Sequence, residues 1–182
     1  MTAHDASPTT TGDQTLGERM LAIEDRLAIL NLLAGSALSS DVAAAEYWQG
    51  MYADNAIMDR GNGQIDSGLE ELLAVVSSAG QKSAADYGMA HLSAVPHIVI
   101  DCDTAVATGY LLIVVPSSGA GGPQLPGKGP AVDLAIYHLT VNRWDLVRSS
   151  AGWKVLKRTI RPLGSDEANE MIHAGIRPSL PK

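Results

Sequence analysis

Two residues of this sequence, Asp41 and His91, have the chemical types and the setting that proton abstraction requires. Asp41 follows a long amphipathic segment, in the stretch 37–41, and His91 opens a strand-like run that extends to residue 101. An imidazole titrates near neutral pH and can take a proton from an activated carbon without a metal. A carboxylate on its other ring nitrogen fixes the tautomer and stabilises the imidazolium that forms. We therefore predict that His91 is a general base oriented by Asp41.

Other residues further along the chain are candidates for binding the substrate of such a base. Asn142 and Arg158 carry groups that can polarise a carbonyl or accommodate negative charge on oxygen. His138 shares a strand face with Asn142, because side chains of a strand alternate between its two faces. Tyr47 and Met58 are candidates for the pocket wall, and core packing is their alternative role.

Each of these residues also has a purely structural interpretation, which the sequence leaves open. A strand histidine such as His91 can be an ordinary structural residue. Asp41 can cap a following helix that begins near Val42. Arg158 can pair with Asp145 on the surface.

Composition limits the classes of function. The chain has 182 residues, 46% of them hydrophobic and 18% charged, which is typical of one globular domain. Its net charge of −7, without a cluster of Lys or Arg, argues against a nucleic-acid partner and favours a neutral hydrophobic small molecule. Cys102 is the only cysteine, no histidine spacing typical of a metal site occurs, and no nucleotide-binding motif is present, so we expect neither metal nor cofactor.

Localisation is predicted from two segments. The stretch 1–14 is polar and lacks the hydrophobic region of a secretory signal. The apolar run 105–116 is too short to cross a bilayer. We therefore expect a cytoplasmic protein that does not bind a membrane.

Hydrophobic periodicity predicts helices first and long strands afterwards. A flexible tail at 1–14 precedes a domain at 15–163, and residues 164–182 form a carboxyl-terminal tail or a short helix. The first helix, 17–38, carries an apolar stripe that we predict to face the core, made of Ile23, Leu27, Leu30, Ala34 and Leu38. Further helices are predicted at 42–52 and, after a capping box at Ser67–Glu70, at 68–78. The predicted strands are 56–59, 88–101, 104–115, 131–148 and 152–162, and the short turns between the later ones indicate antiparallel hairpins.

The segment 116–130, rich in Gly, Pro and Ser, is long for a loop within a compact domain. Hairpin pairing around residues 102–103 places its start at the same end of the sheet as His91. It is therefore either a lid over the site or a surface insertion, and the sequence favours neither. Helices followed by a strand meander predict the α+β class, with helices on one face of a bent antiparallel sheet.

Several motifs in order resemble the SnoaL-like family of the nuclear transport factor 2-like superfamily. They are the segments 23–29, 52–56, 91–105, 142–145 and 152–158, with Asp41 between the first two. The resemblance is to the branch of scytalone dehydratase, bile-acid dehydratase and lindane dehydrochlorinase. It implies a cone-shaped α+β barrel with a cystatin-like fold, and a homodimer or homotrimer that associates through the outer face of the sheet.

The resemblance also implies roles for single residues. Asp41 and His91 match the catalytic pair of that branch, and Asn142 and Arg158 match residues that line its pocket. Ser117 stands where scytalone dehydratase has a second catalytic histidine, so the acid that assists the leaving group is left open.

The function expected from these observations is a cofactor-independent lyase in aromatic compound catabolism. Its substrate would be a hydroxylated hydrophobic molecule, aromatic or steroid-like, that loses water or another small fragment such as formaldehyde. The alternatives are an isomerase or polyketide cyclase of the same superfamily, and a non-catalytic ligand-binding module.

Overall fold

The computed structural model describes residues 15–117 and 133–176. The tail 1–14 and most of the loop 116–130 lie outside the described residues. The interpretation of this loop as a lid therefore also falls outside them. These described residues form five helices: α1 (Leu16–Asp41), α2 (Ala45–Met51), α3 (Leu69–Val76), α4 (Ala79–Tyr87) and α5 (Asp166–Ile176). None of these helices is both long enough and apolar enough to span a membrane.

The strands form one curled sheet that does not close. They are β1 (Tyr52–Asp59), β2 (Ile65–Ser67), β3 (Ala90–Ser93), β4 (His97–Asp101), β5 (Thr104–Pro116), β6 (Leu134–Ser149) and β7 (Gly152–Pro162). The order across the sheet is β2-β1-β7-β6-β5-β3, and β4 also pairs with β5. The pairs β4–β5, β5–β6 and β6–β7 are antiparallel, which confirms the hairpins predicted at the short turns 102–103 and 149–152. Helices α1, α2 and α3 pack on one face of the bent sheet and α5 lies on the other, and this mixed architecture confirms the predicted α+β class.

The structure differs from the sequence-based elements in several places. The strand predicted at 88–101 is two strands, β3 and β4, which pair with successive parts of β5. β1 pairs with β7 in parallel, which is possible because about half of the chain intervenes and can bring β1 to that edge in either direction. Helix α4 and the short strand β2 were not predicted. The capping box at Ser67 is also wrong, since α3 begins after Gly68 without a side-chain cap, and Glu71 instead accepts from the Ser67 N–H.

Helix α1 packs on the sheet with the opposite face from the one predicted. Of the predicted stripe only Leu30 is partly buried, and the other members are exposed. The buried face consists of Asp25, Ile29, Leu33, Ser36, Ser39 and Ser40. Its polar members are tolerated because they are hydrogen-bonded: the hydroxyls of Ser39 and Ser40 both donate to the Ser36 carbonyl.

An ion-pair network fastens α1 to the β6–β7 hairpin. Arg148 donates to both carboxylate oxygens of Asp25 at 2.6 Å, and the Trp153 indole N–H donates to the same carboxylate at 3.1 Å. The guanidinium also lies over the Trp153 ring, 4.5 Å from its centroid. The hydrogen bonds from Arg148 hold the pKa of Asp25 below its ordinary value. This network fixes the rotation of α1 about its own axis.

Candidate active site

The structure brings Asp41 and His91 into direct contact. His91 Nδ1 lies 2.6 Å from Asp41 Oδ1, and the His91 backbone N–H donates to both carboxylate oxygens at 3.0 and 3.1 Å. Both side chains are mostly buried, with 13% and 19% of their surfaces exposed for His91 and Asp41. A carboxylate can only accept, so Nδ1 carries the hydrogen and Nε2 is left as the basic nitrogen.

The fold places this pair where the end of α1 meets an edge of the sheet. Asp41 is the last residue of α1, and α2 begins after Ala44 without a side-chain cap, so Asp41 does not cap the next helix. The Gln81 side chain from α4 donates to the Ser40 carbonyl at 2.7 Å and ties down this helix end. His91 lies in β3, paired with Ile113 of β5. The two residues, 50 positions apart, are thus held by different layers of the fold.

Arg158 and Asn142 form a second buried group on neighbouring strands. Arg158 donates from Nε at 3.0 Å and from Nη2 at 2.9 Å to the amide oxygen of Asn142. The Asn142 amide N–H₂ donates in turn to the Thr140 hydroxyl at 2.8 Å. The guanidinium carbon lies 5.6 Å from the centroid of the Trp144 ring. Asp145 pairs with Arg143 instead, so the surface-pair interpretation of Arg158 is wrong.

One inner cavity joins the two groups. Its lining includes both His91 and Arg158, and the other lining residues are Leu33, Ser36, Ala37, Ser40, Ser93, Leu111 and Trp144. The cavity volume is about 10 Å³, which is room for roughly one water molecule. The imidazole and the guanidinium therefore face a common, nearly closed hollow in which electrostatic interactions are strong.

Two residues near Arg158 were not singled out in the sequence as site residues. Tyr52 is completely buried, and its hydroxyl has no hydrogen-bond partner among the described residues. Burial raises the pKa of Tyr52, and the positive charge of Arg158 acts in the opposite direction. Arg60 pairs with Asp66, and burial together with the charge of Arg158 lowers the pKa of Arg60. Tyr52 belongs to one of the family motifs, but its burial beside the Arg158 cation is the observation that indicates a role in the site.

The structure does not bring the other predicted residues to the cavity. His138 shares the sheet face of His91, with Ile113 between them in register, but it is exposed and two strands, about 10 Å, away. Ser117 is exposed at the end of β5. Met58 is buried, and its sulfur accepts from Arg60. Tyr47 donates to the Leu32 carbonyl at 3.0 Å and lines an outer groove between α1 and α2.

Metal binding is not indicated by the geometry of residues 15–117 and 133–176. In this part of the chain no three His, Cys, Asp or Glu side chains approach one another closely enough to hold an ion.

Comparison with solved structures shows the same fold in other proteins. A nuclear transport factor 2-like protein with a cystatin-like fold from Novosphingobium aromaticivorans is 20% identical, with a TM-score of 0.75, covering 88% of this chain and 99% of that one. A protein provisionally assigned as a dehydratase of the same superfamily, from Streptomyces avermitilis, is 16% identical, with a TM-score of 0.58 and coverages of 79% and 99%. One provisionally assigned as an aromatic ring hydroxylase, from Novosphingobium aromaticivorans, is 19% identical, with a TM-score of 0.54 and coverages of 79% and 92%.

The family is shown by a sequence model rather than by these distant structures. No curated protein matches the chain. The model of the SnoaL-like domain matches residues 21–159, which is most of the chain. With the fold described above, this match shows that the protein belongs to the SnoaL-like family of the nuclear transport factor 2-like superfamily.

Proposed function

We propose that this protein is a cofactor-independent lyase in which His91 is the general base, Asp41 orients it and Arg158 stabilises an oxyanion. The observation that carries the proposal is the 2.6 Å contact between His91 and Asp41 at a cavity that Arg158 also lines. A base and a fixed cation at one hollow are what the removal of a proton next to a carbonyl requires. Asn142 holds the guanidinium in place.

The reaction consistent with this arrangement is an elimination with one proton shuttle. His91 Nε2 takes a proton from the carbon next to a carbonyl, and the electron pair of the C–H bond moves onto the carbonyl oxygen, which Arg158 stabilises. Asp41 stabilises the imidazolium that forms. The oxyanion then collapses to the carbonyl, a carbon–carbon double bond forms, and the β-hydroxyl leaves with the proton of the imidazolium as water.

The cavity volume adds a condition to the proposal. Binding sites for drug-sized ligands usually measure about 300–1,000 Å³, whereas this cavity holds about one water molecule. A hydroxylated aromatic or steroid-like substrate therefore binds only after the apolar lining has moved apart. Leu33 and Leu111 are the largest aliphatic residues of that lining. We expect smaller side chains at these two positions to enlarge the range of accepted substrates.

The test is turnover of a panel of β-hydroxy aryl ketones and hydroxylated ketosteroids, followed by mass spectrometry in D₂O. His91→Ala and Asp41→Asn should each reduce turnover by about a hundredfold or more. His138→Gln is the matched control, because His138 lies on the same sheet face but is exposed, and it should retain wild-type turnover within a few-fold. Turnover that survives both site variants would contradict the proposed mechanism.

The mass of the product separates the lyase from an isomerase or cyclase. A lyase product is lighter by the lost fragment, whether water or formaldehyde. An isomerase uses the same base and oxyanion site but returns the proton to another carbon, so the mass in H₂O is unchanged. In D₂O its product gains a deuteron only where the imidazolium exchanges its proton with solvent before returning it.

A further inference from the structure

Helix α1 presents a long apolar stripe to solvent. Its members, with their exposed fractions where these are large, are Leu16 (71%), Met20 (54%), Ile23 (59%), Leu27 (59%), Ala34 and Leu38 (68%). Around the helix they lie opposite the buried face that contains Ile29 and Leu33, since residues of one face recur every three or four positions. The 26-residue helix is about 39 Å long, and the stripe covers about 33 Å of it. These residues are exposed; Ile23 borders a groove shared with Ile98 of β4, and Leu38 borders one shared with Tyr47 of α2.

The spacing within the stripe is that of a helix–helix seam. Leu16, Met20, Ile23 and Leu27 are separated by steps of four, three and four, and the series continues through Leu30 to Ala34. This alternation places every member along a single line, as at the a and d positions of a coiled coil. A single exposed hydrophobic residue is ordinary, whereas a continuous line of them indicates a partner.

The charges beside the stripe favour a second copy of this chain in parallel orientation. Arg19 flanks one side of the stripe and Glu24 the other, and both are exposed. In a parallel pair, Arg19 of each copy lies beside Glu24 of the other copy, because residues five positions apart flank the same seam from opposite helices. The pair therefore contains two such contacts between opposite charges. In an antiparallel pair centred on Leu27, Arg19 would lie beside Gly35 and Glu24 beside Leu30, so neither charge would meet an opposite charge.

Two other occupants of apolar surface are less favoured by the structure. The outer sheet face, which the family resemblance suggested as the contact, is already partly covered by α5, whose Ile172 and Ile176 lie over β5 and β6. A lipid surface attracts helices with several basic residues beside the apolar face. Here Arg19 and Arg26 are the basic flank, Arg26 already donates to the Ile98 carbonyl, and the chain carries a net charge of −7.

We propose that α1 is the contact through which two copies of this chain associate, in parallel about a two-fold axis along the helix. Each stripe residue then meets its own counterpart, and the series from Leu16 to Ala34 gives six layers of a and d positions. The carboxyl-terminal end of the stripe, Leu38, borders the open groove that also contains Asp41. The second copy therefore covers the outer side of the helix end that carries Asp41. This proposal does not depend on the proposed reaction.

The first experiment measures the mass of the full chain by light scattering and sedimentation over a wide range of concentrations. The wild type should be a dimer. Leu27→Glu should weaken association by about a hundredfold or more, because it places two carboxylates in the seam. Leu139→Glu is the matched control: Leu139 pairs with Leu112 on the outer sheet face, and its substitution should leave the dimer intact. A monomeric wild type, or dissociation by Leu139→Glu alone, would overturn the proposal.

A second experiment does not depend on whether Leu27→Glu folds. In a Cys102→Ser background, Met20→Cys should form a disulfide-linked dimer under mild oxidation, because each cysteine lies beside its own counterpart. In an antiparallel pair centred on Leu27, Met20 would instead lie beside Ala34. Cross-linking only between Met20→Cys and Ala34→Cys chains would therefore refute the parallel arrangement. Absence of both cross-links, or binding of a monomeric wild type to phosphatidylserine vesicles, would refute the seam.

Discussion

The contact between Arg158 and Asn142 can be tested by stability alone, before any substrate is known. Arg158 is buried, and no carboxylate among the described residues pairs with it. Its two hydrogen bonds to the Asn142 oxygen are the main compensation for removing the cation from water. Asn142→Leu keeps the side-chain size but leaves the cation buried without these acceptors. We expect a loss of about 3–5 kcal/mol in the free energy of unfolding.

The double variant Asn142→Leu/Arg158→Met gives the decisive comparison. It removes the cation together with its acceptor, and apolar replacements for a buried polar pair are commonly neutral or stabilising. The Thr140 hydroxyl keeps its bond to the Leu111 carbonyl, so no new orphaned donor is created there. The double variant should therefore be about as stable as the wild type, which recovers the roughly 3–5 kcal/mol that Asn142→Leu alone loses.

Urea unfolding followed by circular dichroism measures these quantities, and thermal unfolding checks them. In a chain of this size the single variant should melt about 10 °C below the wild type. The reasoning is refuted if Asn142→Leu costs less than about 1 kcal/mol, or if the double variant is no more stable than Asn142→Leu. If the double variant is as stable as the wild type but inactive, the buried cation serves function and not folding.

Two further predictions concern the packing and the charge of α1. A Cβ at Gly35 would lie 2.0 Å from the Tyr47 hydroxyl oxygen, so Gly35→Ala should lower the free energy of unfolding by about 1–2 kcal/mol. In a Tyr47→Ala background the same substitution should raise the free energy of unfolding by about 1 kcal/mol, because Ala favours a helix more than Gly does. Equal effects in both backgrounds would contradict the clash. Because Arg148 lowers the pKa of Asp25 in the folded protein, the stabilisation from this pair is complete above the unfolded pKa of about 4 and is lost as the pH falls through the lower folded pKa. As the pH is lowered from 7 to 3, the urea midpoint should therefore fall less steeply for Asp25→Asn than for the wild type. If the two midpoints fall in parallel, the Asp25–Arg148 pair is not the source of this pH dependence.

The long elements were predictable because their periodicity is strong, and the short ones were not. The hairpins β4–β5 and β6–β7 followed from apolar runs joined by tight turns, at 102–103 and at 149–152. Helix α4 contains no buried residue, so no apolar stripe marks it in the sequence. The parallel pairing of β1 with β7 joins residues about 100 positions apart, and local signals carry no information on it.

The candidate site was predictable to the extent that family motifs name its residues. The motifs predicted Asp41 and His91, and the structure brings them to 2.6 Å. They did not indicate that Arg158 bonds to Asn142, because that contact depends on the register of β6 against β7, which a bulge shifts after Asp145. The small cavity volume is likewise a property of side-chain packing, which the composition does not determine.

The wrong face assigned to α1 follows from a helix that carries two candidate stripes. Periodicity detects a line of apolar residues, but it cannot tell whether that line faces the same chain or another one. The line that faces the core contains Asp25 and three serines, which a sequence-based reading counts as polar. They are buried because Arg148, Trp153 and backbone carbonyls satisfy them, and these partners are more than 100 residues away in the case of Asp25. The more apolar stripe of α1 thus lies outside the core of its own chain and is free to contact a partner. This is why we expect two copies to associate through α1.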